Sequence, residues 1–478
     1  MKETYQCDIG LEIHVELKTE SKLFCGCSTA FGGVPNSHTC PVCTGQPGTL
    51  PVLNRKVLEY AMLSGLACNC TITPVTRFDR KNYFYPDNPQ NYQISQLYAP
   101  IARNGWVEIL AAEQPRRVGI HEIHMEEDAG KLIHDETQPL SYIDYNRAGV
   151  PLIEIVTEPD MKNAEEVIAC LEKLRLLLCY LMVSDCKLNE GSMRADVNLS
   201  VRRSGETALG VRTEMKNLNS FHEITHAIHA EKERQIALLK AGGEIVLETR
   251  RWDEAKGQSF SMRSKEDSRD YRYFPEPDLP PVVIEKEEVE RLRNAMPEFR
   301  EERILRYQKE YGLPTYDAGV LTAARGMADF FETAASLSGN AKKVSNWLMG
   351  ETLRLQKEKG MEQDEIPFSA AHLVKLIALS ESGRINSTVA KEAFLHMFEE
   401  DLDPECFVEE AGLGLISDEK ALEEIIDRVM AEQPKSVADY RNGKKQAAGF
   451  LIGQIMRQTA GKADPAAAKR LLAKKLEE

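Results

Sequence analysis

The chain has 478 residues, 42% of them hydrophobic, and a formal net charge of −15 at pH 7. That length holds about three domains of ordinary size with a substantial core, and no apolar run reaches the ~18 residues that a membrane-spanning helix needs. The acidic balance speaks against nucleic-acid binding by the chain as a whole, but charge acts locally, over a Debye length of about 10 Å, so a basic segment can still hold such a partner.

The opening MKETYQCDIG has neither the basic start nor the apolar centre of a secretory signal, so a cytoplasmic protein is expected. In the IGLEIHVELKT segment, alternation puts Ile9, Leu11, Ile13, Val15 and Leu17 on one face of a strand and Glu12, His14, Glu16 and Lys18 on the other. A half-buried strand has no need of a histidine between two carboxylates. The polar row is either the wet side of a sheet or the floor of a site.

FCGCSTAFGGVPNSHTCPVCTG follows, with Cys25 and Cys27 in one pair and Cys40 and Cys43 in another, each in a loop containing Gly or Pro. Two such knuckles close a tetrahedral thiolate site, and four protein ligands leave no open position, so a structural Zn2+ is expected, with His38 as the one neighbour able to replace a thiolate. Cys68 and Cys70 in LACNC are read as the end of a helix. Eleven cysteines, an odd number without a secretory signal, argue for reduced thiols.

The polar row recurs along the chain. VGIHEIHMEEDAGKLIH brings His124, Glu126, Glu127 and Asp128; GVPLIEIVTEPD sets Glu154 in an otherwise apolar run. NAEEVIACLEKLRLLLCYLMVSD reads as a helix capped by Asn163, with Leu171, Leu174, Leu178 and Leu181 at helical spacing. SMRADVNLSVRR alternates Ala195, Val197, Leu199 and Val201 against Arg194, Asp196, Asn198, Ser200 and Arg202, while VRTEMKN and IVLETRRW add Arg212, Glu214, Lys216, Glu248 and Arg250. Carboxylates with a histidine favour a hard divalent cation and the bases suit phosphate, which together suggest Mg2+ and ATP on the shared face, with a charged outer sheet surface as the alternative. Neither a G-x-x-x-x-G-K-[ST] loop nor a G-x-G-x-x-G turn occurs, so the nucleotide would rest on the sheet itself.

This half is α+β. Pro275, Pro277, Pro280 and Pro281 in YFPEPDLPPVVI mark a boundary, and the remainder is helical. GLISDEKALEEIIDRVM opens a further unit, with Ser417 as cap and Leu422, Ile425, Ile426 and Val429 as its apolar stripe. The expected domains are 1–292, 293–408 and 409–478. From Arg441 to Glu478 nine basic residues face three acidic ones, a local charge of +6 that leaves −21 on the rest. Within that segment KKQAAGFLIGQIMRQ places Gly449 and Gly453 one turn apart, and Lys444, Lys445 and Arg457 are candidates for contact with an RNA backbone.

GLEIHVELKTESKLFC, FDRKNYFYPDNPQNYQISQ, HMEEDAGK, DYNRAGVPLIEIVTEPD, MKNLNSF, DYRYFPEPDLPP, NWLMGE and GFLIGQIMR, in this order along nearly the whole chain, resemble the B subunit of the bacterial tRNA-dependent amidotransferases. The resemblance implies an enzyme that converts mischarged Glu-tRNA(Gln) or Asp-tRNA(Asn) to the amidated aminoacyl-tRNA with ATP and Mg2+. It implies a glutamine synthetase-like antiparallel-sheet cradle, then a helical domain and a small helical tail. It assigns Mg2+ to His14, Glu127 and Glu154, with Glu12 and Glu126 serving a second cation or orienting the first. Lys81, Arg147, Lys216 and Arg251 are candidate phosphate contacts by charge and motif position. The chain shows no amidase-type Ser/Lys segment and no cysteine nucleophile with a histidine partner, and Cys179 sits on an apolar helix face, so the implied partners are the family's separate amidase (the A subunit) and its small third component (the C subunit). Two other readings stay open: an amide ligase acting on a free amino acid, which has no use for the basic tail, and a zinc-bearing RNA-binding scaffold, which leaves the carboxylates unexplained.

Overall fold

The computed structural model describes residues 4–135, 137–188, 190–264, 271–414, 419–442, 444–459, 463 and 465–477. The chain divides into two compact units, Met1–Phe299 and Arg300–Glu478.

The first unit is built on a nine-stranded sheet. Its strands in chain order are β1 (Tyr5–Glu16), β2 (Thr71–Ile72), β3 (Ala102–Ala111), β4 (Gln114–Glu127), β5 (Pro151–Thr157), β6 (Met193–Arg203), β7 (Thr213–Lys216), β8 (Glu248–Asp253) and β9 (Gln258–Ser264). In space they run β9-β8-β7-β6-β1-β5-β4-β3-β2, antiparallel throughout except for the parallel pair β7 and β8. Alternation in β1 settles which way the sheet faces. Ile9, Leu11, Ile13 and Val15 are buried with Ile123 and Met125 of β4, Ile153 and Ile155 of β5, and Val197 and Leu199 of β6. Burying each such side chain stabilises the fold by about 1.5–3 kcal/mol, which is why the register cannot slip by one residue without exposing the whole set.

Three helices cover that apolar face: α1 (Arg55–Ala67) against β4 and β3, α2 (Ala164–Tyr180) against β3, and α3 (Phe221–Lys240) against β6. The side chain of Asn163 caps α2 by accepting from the Glu166 amide, and Leu171, Leu174, Leu178 and Leu181 are all buried, as their spacing requires. Cys68 caps the C-terminus of α1. None of the eleven cysteines is disulfide-bonded.

Asp79–Asn82 lies between Tyr92–Ser95 and Phe274–Pro275 in a separate three-stranded sheet. The proline-rich stretch therefore belongs to the first unit: Phe274 and Pro275 pair with Arg80 and Asp79, and Val282 and Val283 pair with Thr76 and Val75. The following helix α4 (Lys286–Asn294) packs on α1, with Glu288 2.7 Å from Arg55.

The second unit is helical and, among the described residues, has no strand. It holds two separate apolar clusters, one drawn from Tyr307 to Val408 and one from Leu422 to Leu476. Leu422, Ile426 and Val429 are buried in the latter and Ile425 packs beside them, while the expected cap Ser417 lies outside the described residues. No described helix is long and apolar enough to cross a membrane.

Candidate active site

The face of the sheet opposite the three helices collects the polar row. Because β1 lies between β5 and β6, His14 is opposite Glu154 on one side and Arg194 on the other, and Glu12 is opposite Asp196. One strand further, Glu154 is opposite His124 and Leu152 is opposite Glu126. His14 Nε2 is 3.3 Å from Glu154 Oε2 and 3.6 Å from Glu126 Oε1, and His124 Nε2 is 3.1 Å from Glu154 Oε2. The ligand atoms of His14, Glu126 and Glu154 all lie within 4.8 Å of one another.

Carboxylates held this deep require positive charge beside them. Burial works against the His124 imidazolium, yet Glu154, Glu122 and Glu126 outweigh it and push its pKa up to about 10. His14 is raised in the same way, by Glu154 and Glu126 against burial. Glu154, which burial alone would raise, is held well below the carboxylate range by His124 and His14. Lys81 joins them from the neighbouring three-stranded sheet: burial opposes its charge, but Glu126, Tyr273 and Glu154 keep its pKa above that of an ordinary lysine. Two oxygens and an imidazole nitrogen on a concentrated negative field form a donor set that fits a hard divalent cation, which would displace these protons.

A second row lies beside the first. Glu12, Asp196 and Glu214 bring carboxylate oxygens within 4.8 Å of one another. The Asn198 amide donates to Glu12 at 2.9 Å, and Lys216 Nζ sits 2.5 Å from Asp196 and 2.7 Å from Glu214. Burial, then Glu154 and Glu214, raise the Glu12 carboxyl above its usual range. The charge of Lys216 is thus already matched by two carboxylates, and the row suits a cation better than bare phosphate. Register puts Arg251 beside Lys216, exposed at the outer part of the sheet.

Glu127 departs from expectation. Successive residues of a strand face opposite ways, and since Glu126 shares the face of His124, Glu127 projects from the other side of β4. Its carboxylate accepts the Ile94 amide at 3.1 Å and lines a cavity of about 220 Å3 with Phe24, Gln90, Tyr92 and Asp278. Burial raises it to about 7, offset only in part by hydrogen bonds from Ile94 and Gln90. The carboxylate that joins His14 and Glu154 is therefore Glu126. Arg147 is also placed differently from a phosphate contact: it donates to the carbonyls of Ala129 and Gly130, each at 3.0 Å, and lies 3.4 Å from Asp128, bracing the loop after β4.

Cys25, Cys27, Cys40 and Cys43 converge with all four sulfurs within 4.8 Å, without His38. The Cys43 thiol is held down to about 5 by the hydrogen bond from Cys25, with further help from the Cys40 amide and the ammonium of Lys22, a fully buried residue whose Nζ is 3.5 Å from Cys43 Sγ. A thiolate-forming set of four sulfurs with buried positive charge beside it fits a tetrahedral metal.

Residues 7–290 match the GatB/GatE catalytic domain and residues 329–476 match the GatB domain. The chain belongs to the GatB family. It is 61% identical to the B subunit of the aspartyl/glutamyl-tRNA(Asn/Gln) amidotransferase of Agathobacter rectalis, with 98% of each chain covered. The B subunits of the same name from Lachnospira eligens and Caldicellulosiruptor bescii are 58% and 52% identical, covering 98% and 99% of each chain. The carboxylate rows and the cysteine cluster all fall in the part that matches the GatB/GatE catalytic domain. Lys444, Lys445 and Arg457 fall in the part that matches the GatB domain and are exposed, with Lys444 3.0 Å from Asp439.

The roles of some site residues follow from strand order and chain return rather than from a linear pattern. His124 and Arg194 are visible in the sequence as members of polar rows, but only strand order shows that Arg194 is opposite His14 and that His124 shares Glu154 with it. Arg194 donates to Asp128 at 3.0 Å while its Nε is buried without a hydrogen-bond partner. Tyr273 opens the stretch read as a boundary and Tyr271 lies just before it, yet Lys81 Nζ lies 5.0 Å from the centroid of the Tyr271 ring.

The orientation of Glu127 is testable through pH. A carboxyl whose pKa is raised from 4.5 to about 7 on folding binds more protons in the folded state across that window, so stability falls as pH rises through it. Glu127→Gln keeps an acceptor for Ile94 and removes the titration. The substituted protein should show a flatter stability profile between about pH 4.5 and 7 in urea denaturation, and exceed the parent at pH 8 by on the order of 1–3 kcal/mol. Parallel profiles for the two proteins would contradict the buried placement.

Proposed function

We propose that this chain is the amidating subunit of a tRNA-dependent amidotransferase, acting in the cytoplasm on Glu-tRNA(Gln), Asp-tRNA(Asn) or both. The observation that carries this reading is the convergence of His14, Glu126 and Glu154 on one sheet face, with Lys81 and a second carboxylate row beside it. The relatives' name supplies the substrate class. In this reading the sheet acts as a cradle of the glutamine synthetase kind, residues 293–408 form a helical domain, and 409–478 form a tail that grips tRNA.

The chemistry follows from a weakness of the substrate. A side-chain carboxylate is a poor electrophile because oxide is a poor leaving group. Transfer of the γ-phosphoryl of ATP to one of its oxygens, with ADP departing, produces an acyl phosphate; ammonia adds to the acyl carbon, phosphate leaves, and the surplus proton passes to solvent. Mg2+ held by His14, Glu126 and Glu154, with a second ion at Glu12, Asp196 and Glu214, would supply charge neutralisation and alignment for the phosphoryl group. In this reading Lys81 and Arg194 contact phosphate oxygens, Arg251 meets the outer part of the nucleotide, and Lys216 keeps the second row oriented. Arg147 fixes the loop that follows Glu127. Since the chain has no amidase apparatus of its own, ammonia comes from a partner amidase (the A subunit), and a small C subunit completes a heterotrimer.

With the amidase partner and glutamine present, Glu126→Gln and Glu154→Gln should each lower turnover of mischarged tRNA by about 100-fold while tRNA affinity stays within about twofold. Undiminished turnover in either variant would contradict the assigned role.

The four cysteines are assigned a structural Zn2+. Elemental analysis of the purified chain should give one zinc that is absent from the Cys25→Ser and Cys40→Ser double variant. Zinc-free protein whose four thiols react freely without denaturant would overturn the assignment.

Lys444 and Lys445 precede the helix Ala447–Gln458, which is about 18 Å long, and Arg457 lies in its last turn, so the bases stand at its two ends, a spacing suited to backbone contacts rather than to one base. Removing 409–478 from the assembled enzyme should weaken tRNA binding and make its log-log salt dependence shallower by roughly one for each phosphate no longer neutralised, while saturated turnover persists. Unchanged affinity and slope with collapsed turnover would place the tail in the fold or the active site instead.

A further inference from the structure

We propose that His222, His226 and Glu254 form a solvent-facing site for a zinc-class ion, separate from the cysteine cluster and from the carboxylate rows. α3 begins just after its cap Ser220, and His222 and His226, one turn apart, project from the same exposed side. Glu254 stands at the start of the turn that joins β8 to β9. The three ligand atoms lie within 4.8 Å of one another.

Two features distinguish this group from an incidental surface cluster. The first is the way Glu254 is held. Its Oε2 accepts the indole N–H of Trp252 at 2.6 Å, and Trp252 is itself buried at 2% exposure, so the carboxylate is oriented from beneath and Oε1 is left facing the imidazoles.

The second is the spacing. Oε1 is 3.4 Å from His222 Nδ1 and 3.6 Å from His226 Nδ1. Charge-assisted hydrogen bonds close to about 2.7–2.9 Å, whereas a tetrahedral ion with bonds of about 2.0–2.1 Å holds its ligand atoms about 3.4 Å apart. The two rings, with centroids 3.9 Å apart and planes tilted by 58°, both turn Nδ1 toward the same oxygen.

Two imidazoles and one carboxylate favour a borderline transition metal over Mg2+, which seeks oxygen in an octahedron. Three protein ligands leave the fourth position to water, on the solvent side. The ion would tie the β8–β9 turn to the first turn of α3, bracing the sheet next to β7, which carries Glu214 and Lys216 of the second carboxylate row.

The test is Zn2+ titration of the full-length, untagged chain at pH 7.5, isolated with its cysteine cluster already metal-loaded, by isothermal calorimetry. The parent should bind one more Zn2+ than His222→Ala or His226→Ala, and Glu254→Gln should retain the site at about tenfold weaker affinity. Because the sites elsewhere are common to all four proteins, they cancel in the comparison. Equal zinc stoichiometry in the parent and both histidine variants would overturn the proposal and leave a His–Glu ion pair. A second measurement needs no variant: added Zn2+ should slow amide hydrogen exchange in Asp253–Gly257 and at the start of α3, and unchanged exchange there would contradict the site.

Discussion

The register of β1 between β5 and β6 is the constraint on which the rest depends. It sets His14 opposite Glu154 and Arg194, and sets Glu12 opposite Asp196. The same pairing sends Ile9, Leu11, Ile13 and Val15 into the core beneath the helices. Apolar burial and the polar face are thus two consequences of one alternation. A slip of one residue would bury His14 and expose four core side chains, so the core energetics hold the site in place far more firmly than the site's own contacts could.

That arrangement concentrates negative charge on the face opposite the helices, where Glu126 and His124 are buried. In the structure the charge is answered by His14, His124 and Lys81 in the first row and by Lys216 in the second. The raised pKa values of the two histidines and the depressed one of Glu154 are the electrostatic record of the same crowding. β4 also divides two environments: Glu126 looks onto this charged face, while Glu127, the next residue, ends in a cavity near the cysteine loop where burial favours its neutral form.

Much of this is legible in the sequence, for reasons that are local. The period-two pattern of β1 and β6, the Asn163 cap with its leucine stripe and the paired cysteines each depend on residues a few positions apart. The choice between Glu126 and Glu127 does not. In HMEEDAG two carboxylates are adjacent, and which one faces His14 is decided by pairing with Leu152 and Pro151 across the sheet. Lys216 reads as a phosphate-seeking base because one of its two carboxylate partners, Asp196, is twenty residues away. The parts played by His124, Arg194 and Tyr271 come from strand order and from the return of Tyr271 toward Lys81, neither of which a linear pattern records. The family itself is legible because eight ordered motifs carry information that no single spacing does.

Binding of Mn2+ to the full chain, followed by electron paramagnetic resonance with Glu126→Gln and Glu127→Gln compared side by side, tests the central assignment of faces most directly. Coordination by His14, Glu126 and Glu154 predicts that Glu126→Gln weakens Mn2+ binding by about tenfold or more while Glu127→Gln binds like the parent. Loss of binding in Glu127→Gln with full binding in Glu126→Gln would contradict it.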